Sequence, residues 1–300
     1  MRTAFINQLI IEARQNPKIF LIVGDLGFSV VEPFAEEFPD RFLNAGIAEQ
    51  NMTGIAAGLA MEGYTVFTYS IANFPTLRCM EQIRYDVCYH NLDVKIVAVG
   101  AGYAYASLGP SHHATEDIGM LRTLPNLTIV SPADPVEARK LTTDLCNIPG
   151  PAYIRLGKAG EPQIHNDETD IQRGIPVKVL DGKGTAVFST GSIVKYALDY
   201  IAANKKDWAL YSFPYLKPLE KDSLIEVFNQ FENFITIEEH QLNAGFGSLI
   251  LENANDLFQA GKIQKFPGIR RIGIEDEFIS VAGTQDYIRE KAGLLLSKVH

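Results

Sequence analysis

The sequence predicts an α/β protein built from two doubly wound α/β/α domains with mostly parallel sheets. Over the first half, short β-rich runs alternate with helical patterns, which implies a parallel sheet covered on both faces. The alternation stops in a polar stretch over 157–173 that carries Gly160 and Pro162, and resumes after it. The 300 residues, 46% of them hydrophobic, suffice for two ordinary cores. The expected division is a first domain over 1–160 and a second over 175–300.

The chain opens on an amphipathic helical pattern over 1–13. Strands are expected over 19–23, 65–69, 94–99, 127–130 and 152–155, with helices over 50–61, 77–88, 116–124 and 135–145. After the linker come a strand over 185–189, a Gly191-Ser192 turn, a helix over 194–203, and strands over 208–212 and 234–238. The halves share architecture but no sequence repeat.

Charge and composition exclude several partner classes. A net charge of -9 without a basic run argues against nucleic acid or an anionic membrane. No long apolar segment and no basic-apolar-small leader is visible, so the expected location is cytoplasmic. Cys79, Cys88 and Cys146 are widely spaced and odd in number, and read as reduced thiols, neither a metal cluster nor a disulfide framework.

The most informative stretch is Arg41-Phe-Leu-Asn-Ala-Gly-Ile-Ala-Glu-Gln-Asn-Met52, followed by Thr53-Gly-Ile-Ala-Ala-Gly-Leu-Ala60. It places one carboxylate, Glu49, at the start of a helix of small residues that permits close approach. Glu49 reads either as an acid favoured by the helix dipole or as a buried acid with a chemical task. Ligands of open parallel sheets sit at the carboxyl ends of the strands. Asp25 and Ser29, Tyr69 and Phe74, and Ser111, His112 and His113 all fall at such ends. The histidine pair has no third ligand at metal-binding spacing, and Glu116-Asp117 reads as helix-start acids, so no metal is expected in this chain.

The Glu49 stretch, Gly109-Pro-Ser-His-His-Ala-Thr-Glu-Asp117 and Leu124-Pro-Asn-Leu-Thr-Ile-Val-Ser-Pro-Ala-Asp134 occur in the order found in a known family. Together they resemble the pyrimidine-binding half of transketolases and deoxyxylulose-phosphate synthases, which use thiamine diphosphate. The resemblance continues more weakly through Phe234-Ile-Thr-Ile-Glu-Glu-His240 and Gly245-Phe-Gly247. It implies that Glu49 hydrogen-bonds a ring nitrogen of the cofactor's aminopyrimidine and favours its imino form, a task for a carboxyl in a dry site. It implies that His112 faces a substrate oxygen as that oxygen gains charge. Tyr69 and Phe74 match the region of the family's aromatic wall or are core aromatics, and His113 is a substrate ligand or a core histidine. Asp25, Ser29, Arg155 and Lys158 match substrate-binding positions, the last three for an acceptor phosphate. A strand-end arginine serves equally as a surface ion pair.

Departures from the family limit what it implies. Leu108 stands where the family has an Asp that binds a sugar hydroxyl, and Gly100 and Ala101 stand where it has a basic side chain. Such losses should reject the usual sugar donors, leaving a modified sugar or keto acid as plausible. The family holds Mg²⁺ and the cofactor's diphosphate through Gly-Asp-Gly and a later Asn. Gly24-Asp25-Leu26 with Asn51 only mimics this, and the sequence leaves no room for a third domain. The expectation is therefore half of a cofactor site: the C-terminal subunit of a split transketolase-like enzyme, paired as α2β2 with a subunit that carries Gly-Asp-Gly. The alternatives are the β subunit of a 2-oxo acid dehydrogenase and a non-catalytic scaffold.

Overall fold

A computed structural model describes residues 1–299. Helix α1 (Arg2–Gln15) leads into β1 (Ile19–Val23), α2 (Glu32–Glu37), β2 (Phe42–Asn44), α3 (Glu49–Met61) and β3 (Thr65–Ile71). Then come β4 (Val94–Val99), α4 (Asp117–Leu121), β5 (Thr128–Val130), α5 (Pro135–Asn147) and β6 (Ala152–Leu156). Beyond the linker follow β7 (Val177–Leu180), β8 (Thr185–Ser189), α6 (Ile193–Ala203), β9 (Trp208–Ser212) and β10 (Tyr215–Lys217). The chain continues through α7 (Ile225–Gln230), β11 (Asn233–Gln241), α8 (Phe246–Gln259), β12 (Gly268–Ile274) and α9 (Gln285–Lys291).

The first sheet has the order β10-β5-β6-β4-β3-β1-β2 and the second β12-β11-β8-β9-β7. All pairings are parallel except β10 with β5 and β7 with β9. Helices cover both faces, as the apolar runs in β1 and the fully buried β4 require. Helix α1 packs on α5 on one face of the first sheet, and α3 packs against β3 and the segment after it on the other. Asp134 caps α5 by accepting from the Glu137 amide, with Pro135 in the first turn, where its missing N–H costs nothing.

Several features depart from the sequence expectation, among them β7, α8, β12 and α9, which it did not include. The first sheet borrows its outer strand β10 from residues beyond the linker, so the division at 160 and 175 does not separate the sheets cleanly. The helix expected over 77–88 consists of a 3₁₀ turn, Leu77–Cys79, and a π-helical segment, Gln82–Tyr89. Its buried Ile83, Val87 and Cys88 suit either winding, which is why periodicity reads as one helix. Strands β2 and β10 have three residues each, too few for a period-two signal.

Candidate active site

Glu49 is the first residue of α3 and is 2% exposed. Its position follows from Gly46, whose φ of 72° turns the chain from β2 toward the helix, a conformation that favours glycine. The N-cap is Ala48, which makes no side-chain capping bond. The Glu49 carboxylate does not cap the helix either. Arg78 donates to its Oε2 at 2.8 Å, and Ser70 of β3 approaches Oε1 at 3.5 Å. Beside it, Gly24 leaves a space that a Cβ would fill, 3.4 Å from Ser70 Oγ and 3.6 Å from Glu49 Cγ. Ile47, two residues ahead of Glu49, is 80% exposed and presents apolar surface next to the buried acid.

An aromatic and a histidine join this acid. The Arg78 guanidinium lies 5.1 Å from the Phe74 ring centroid, and Phe74 meets the His112 ring edge-on at 5.5 Å. His112 ends the 3₁₀ turn Pro110–His112, and its Nδ1 is 3.0 Å from Ser111 Oγ. The Asn73 amide donates to the Ser111 carbonyl, tying the Phe74 loop to the histidine loop. Glu49, Phe74 and His112 are thus linked through Arg78 and Asn73, which the sequence reasoning did not single out. Arg78 lies in the 3₁₀ turn Leu77–Cys79, which brings its guanidinium back over the Phe74 ring.

The other sequence candidates fall elsewhere. Tyr69 alternates with Ser70 along β3 and so points to the opposite face, where it packs against Phe5 at 6.2 Å. It does not line the Glu49 side. Asp25, at φ 55°, exchanges hydrogen bonds of 3.0 and 3.1 Å with Asn44, and the Ser29 amide donates to Glu32. Arg155, expected at a phosphate or in a surface ion pair, is buried: β6 lies between β4 and β5, so its end is covered. Its Nε donates to Asp117 at 2.7 Å, and its Nη2 donates to the Ala114 and Glu239 carbonyls. Tyr153, two residues earlier on the same face, donates to the same Asp117 oxygen at 2.6 Å. Burial alone would raise the Asp117 pKa, but the Arg155 charge and these two bonds hold it below the usual carboxylate range. Lys158 is exposed on a separate cavity of about 790 Å³ between the linker, α6 and α9. His113 is 7% exposed and meets Tyr103 edge-on at 4.9 Å. Burial pushes its pKa down.

The positions that depart from the family pattern also have structural consequences. A Cβ on Gly100, whose φ is 100°, would fall 2.2 Å from the Tyr105 ring, so that aromatic fills the place a side chain would take. Leu108 ends a 3₁₀ turn next to the histidine loop and is 54% exposed.

Residues 1–161 match the family described as transketolase, pyrimidine binding domain. The chain belongs to the transketolase family. Residues 176–290 match the transketolase C-terminal domain. One of its relatives, a subunit of the apulose-4-phosphate transketolase of Actinobacillus succinogenes, is 34% identical over 267 residues, covering 88% of this chain and 84% of the relative. A 1-deoxy-D-xylulose-5-phosphate synthase of Syntrophus aciditrophicus is 32% identical over 287 residues, 93% of this chain but only 43% of that longer enzyme. Among solved structures, a split gene transketolase described as an inactive beta4 tetramer superposes with a TM-score of 0.84. It is 32% identical, with 98% of this chain and 93% of that one covered. Among the described residues of this transketolase-family chain, no helix is long and apolar enough to cross a membrane.

Proposed function

We propose that the chain is one subunit of a thiamine diphosphate-dependent transketolase-type enzyme that moves a two-carbon ketol or acyl unit between sugar or keto-acid substrates. A partner subunit, assembled with it as α2β2, holds Mg²⁺ and the cofactor's diphosphate. The observation that carries this reading is the buried Glu49 carboxylate, which caps no helix and sits beside Arg78, with the Phe74 and His112 rings beyond. A scaffold has no physical need for that arrangement.

The residues fit the aminopyrimidine end of the cofactor. Glu49 would hold a ring nitrogen, Phe74 would offer aromatic surface, and the glycine at position 24 leaves space beside the acid. They do not fit the diphosphate end, because Asp25 of Gly24-Asp25-Leu26 is engaged with Asn44. When bound, thiamine diphosphate supplies the carbon nucleophile. Around it Glu49 holds and returns a proton at the pyrimidine ring. His112, with Nδ1 near Ser111, has Nε2 to offer a substrate oxygen, and apolar Ile47 helps a docked partner exclude water.

Substrate choice follows from Leu108 and the Tyr105-filled place at Gly100, which supply no charged partner for the usual pentose phosphate donors. The relative named for apulose 4-phosphate supports an unusual sugar and a second subunit. The test is reconstitution with a transketolase N-terminal subunit that carries Gly-Asp-Gly, thiamine diphosphate and Mg²⁺, assayed against a donor panel. Turnover is expected only with the partner, and xylulose 5-phosphate should stay below ~10⁴ M⁻¹s⁻¹ in kcat/KM. Higher efficiency with that sugar would refute the substrate reading. Turnover by the chain alone would refute the split site.

A further inference from the structure

Behind the His112 loop, two adjoining cavities of about 250 and 400 Å³ open between the first domain and the segment after β12. They share Glu116, Met120, Glu277 and Phe278. Two buried atoms in the residues lining the smaller one have no hydrogen-bond partner among the described residues: Asn73 Oδ1 and His113 Nε2. The Asn73 orientation is fixed chemically, because its other amide atom must donate to the Ser111 carbonyl, so Oδ1 is an acceptor. His113 is more than nine-tenths buried. Asn73 Oδ1 is an acceptor left without a donor, and His113 Nε2 would be a second when it carries no proton, so the site suits a ligand that brings donors.

The surrounding charge says which kind. Glu116, Asp276 and Glu277 rim the two cavities, and no Lys or Arg lines either among the described residues. A sugar phosphate would face these carboxylates with no Lys or Arg to offset them, whereas a cation would be stabilised. Met120, Phe278 and Ile279 add apolar surface that suits the methylene stem carrying a basic head group. Phe278, 81% exposed at the mouth, would be covered by a docked chain. We propose that this cleft is the socket for a lysine or arginine side chain of a partner polypeptide. Pro110 and His113 bracket His112, and Asn73 adjoins Phe74, so docking there would brace the candidate active-site loops from behind. The socket is independent of the catalytic reading, since Glu49 and His112 line neither cavity.

The experiment uses the full chain with ¹⁵N-labelled histidine, the His113 signal being assigned by its loss in His113→Gln. The probes are capped Ala-Arg-Ala, capped Ala-Gln-Ala and ribose 5-phosphate. The arginine peptide is expected to shift the His113 signal saturably and the glutamine peptide to leave it in place. Glu116→Gln and Glu277→Gln should each weaken the arginine peptide by about two- to fivefold, the usual worth of a partly exposed charge pair. Glu277 is exposed on its loop, so its variant stays informative even if Glu116→Gln disturbs folding. An unmoved signal at saturating arginine peptide, equal responses to both peptides, or a response to the sugar phosphate alone would each overturn the proposal.

Discussion

A buried carboxylate needs donors on both oxygens. Glu49 has a firm one from Arg78 and only a long contact from Ser70, which leaves room for a further group at Oε1. Glu49→Gln keeps the shape and one acceptor but cannot pass a proton. In the assembled complex it should slow hydrogen–deuterium exchange at C2 of bound thiamine diphosphate by ~10²–10⁴-fold, the usual worth of a positioned acid–base group. Were Glu49 there only for the helix dipole, exchange would be unchanged and the melting curve would report the loss, about 1 kcal/mol at most. Glu49 draws attention as an acid opening a helix of small residues, whereas His112 is singled out only through the family resemblance that the Gly-Pro-Ser-His run carries. Arg78 was not legible, because it lies where two windings meet and no single period predicts its neighbours. The facing of Tyr69 depends on strand parity, and the burial of Arg155 depends on which strands flank β6, neither of which is written in local sequence.

The linker is the element whose polarity misleads most. The stretch over 157–173 reads as solvated, yet His165 is buried against the start of α5. Asp134 Oδ2 accepts from the Ile164 and His165 amides at 2.7 Å each, and Glu137 accepts from Ser212 of β9 at 2.7 Å and from the Ala133 amide at 2.6 Å. The His165 Nδ1 stands 3.4 Å from Asp134 and 3.6 Å from Glu137, so one imidazole faces two carboxylates. Burial drives the Glu137 pKa up to about 7. Burial lowers that of His165, but the close carboxylates of Asp134 and Glu137 outweigh it and leave it raised from 6.5. Both folded-state pKa values therefore lie above the unfolded ones. Their stabilisation is complete below the unfolded values and is lost as pH rises through the folded ones. Glu238, pushed up to about 8 by burial, acts with the same sign. Denaturant midpoints should thus fall from pH 6 to pH 8.5. His165→Gln should lower stability at pH 6 by removing the positive charge that the two carboxylates face, and should flatten that pH dependence. A midpoint that is level or rising over this range would rule out the clasp. The cap at Asp134 was open to a reader of Asp134-Pro135, but its link to His165 spans the linker and carries no local signal.

For the whole molecule, the α/β class and the positions of the central strands follow from alternation of apolar runs, whereas the edge strands and their partners do not. The same limit applies to assembly. Because the residues fit one end of the cofactor, calorimetric titration of the isolated chain with thiamine diphosphate and Mg²⁺ should show negligible heat. Tight metal-dependent binding without a partner would sink the half-site reading. One further consequence comes from β10, where Tyr215 pairs with Val130 across the linker. During synthesis on the ribosome, the first sheet has no outer neighbour for β5 until Lys217 has emerged. A product truncated at residue 174 would keep that edge bare, with backbone donors and acceptors free to recruit another chain. The isolated N-terminal portion should therefore precipitate or swap strands, while a protease nick in the linker should leave the two pieces held together in solution.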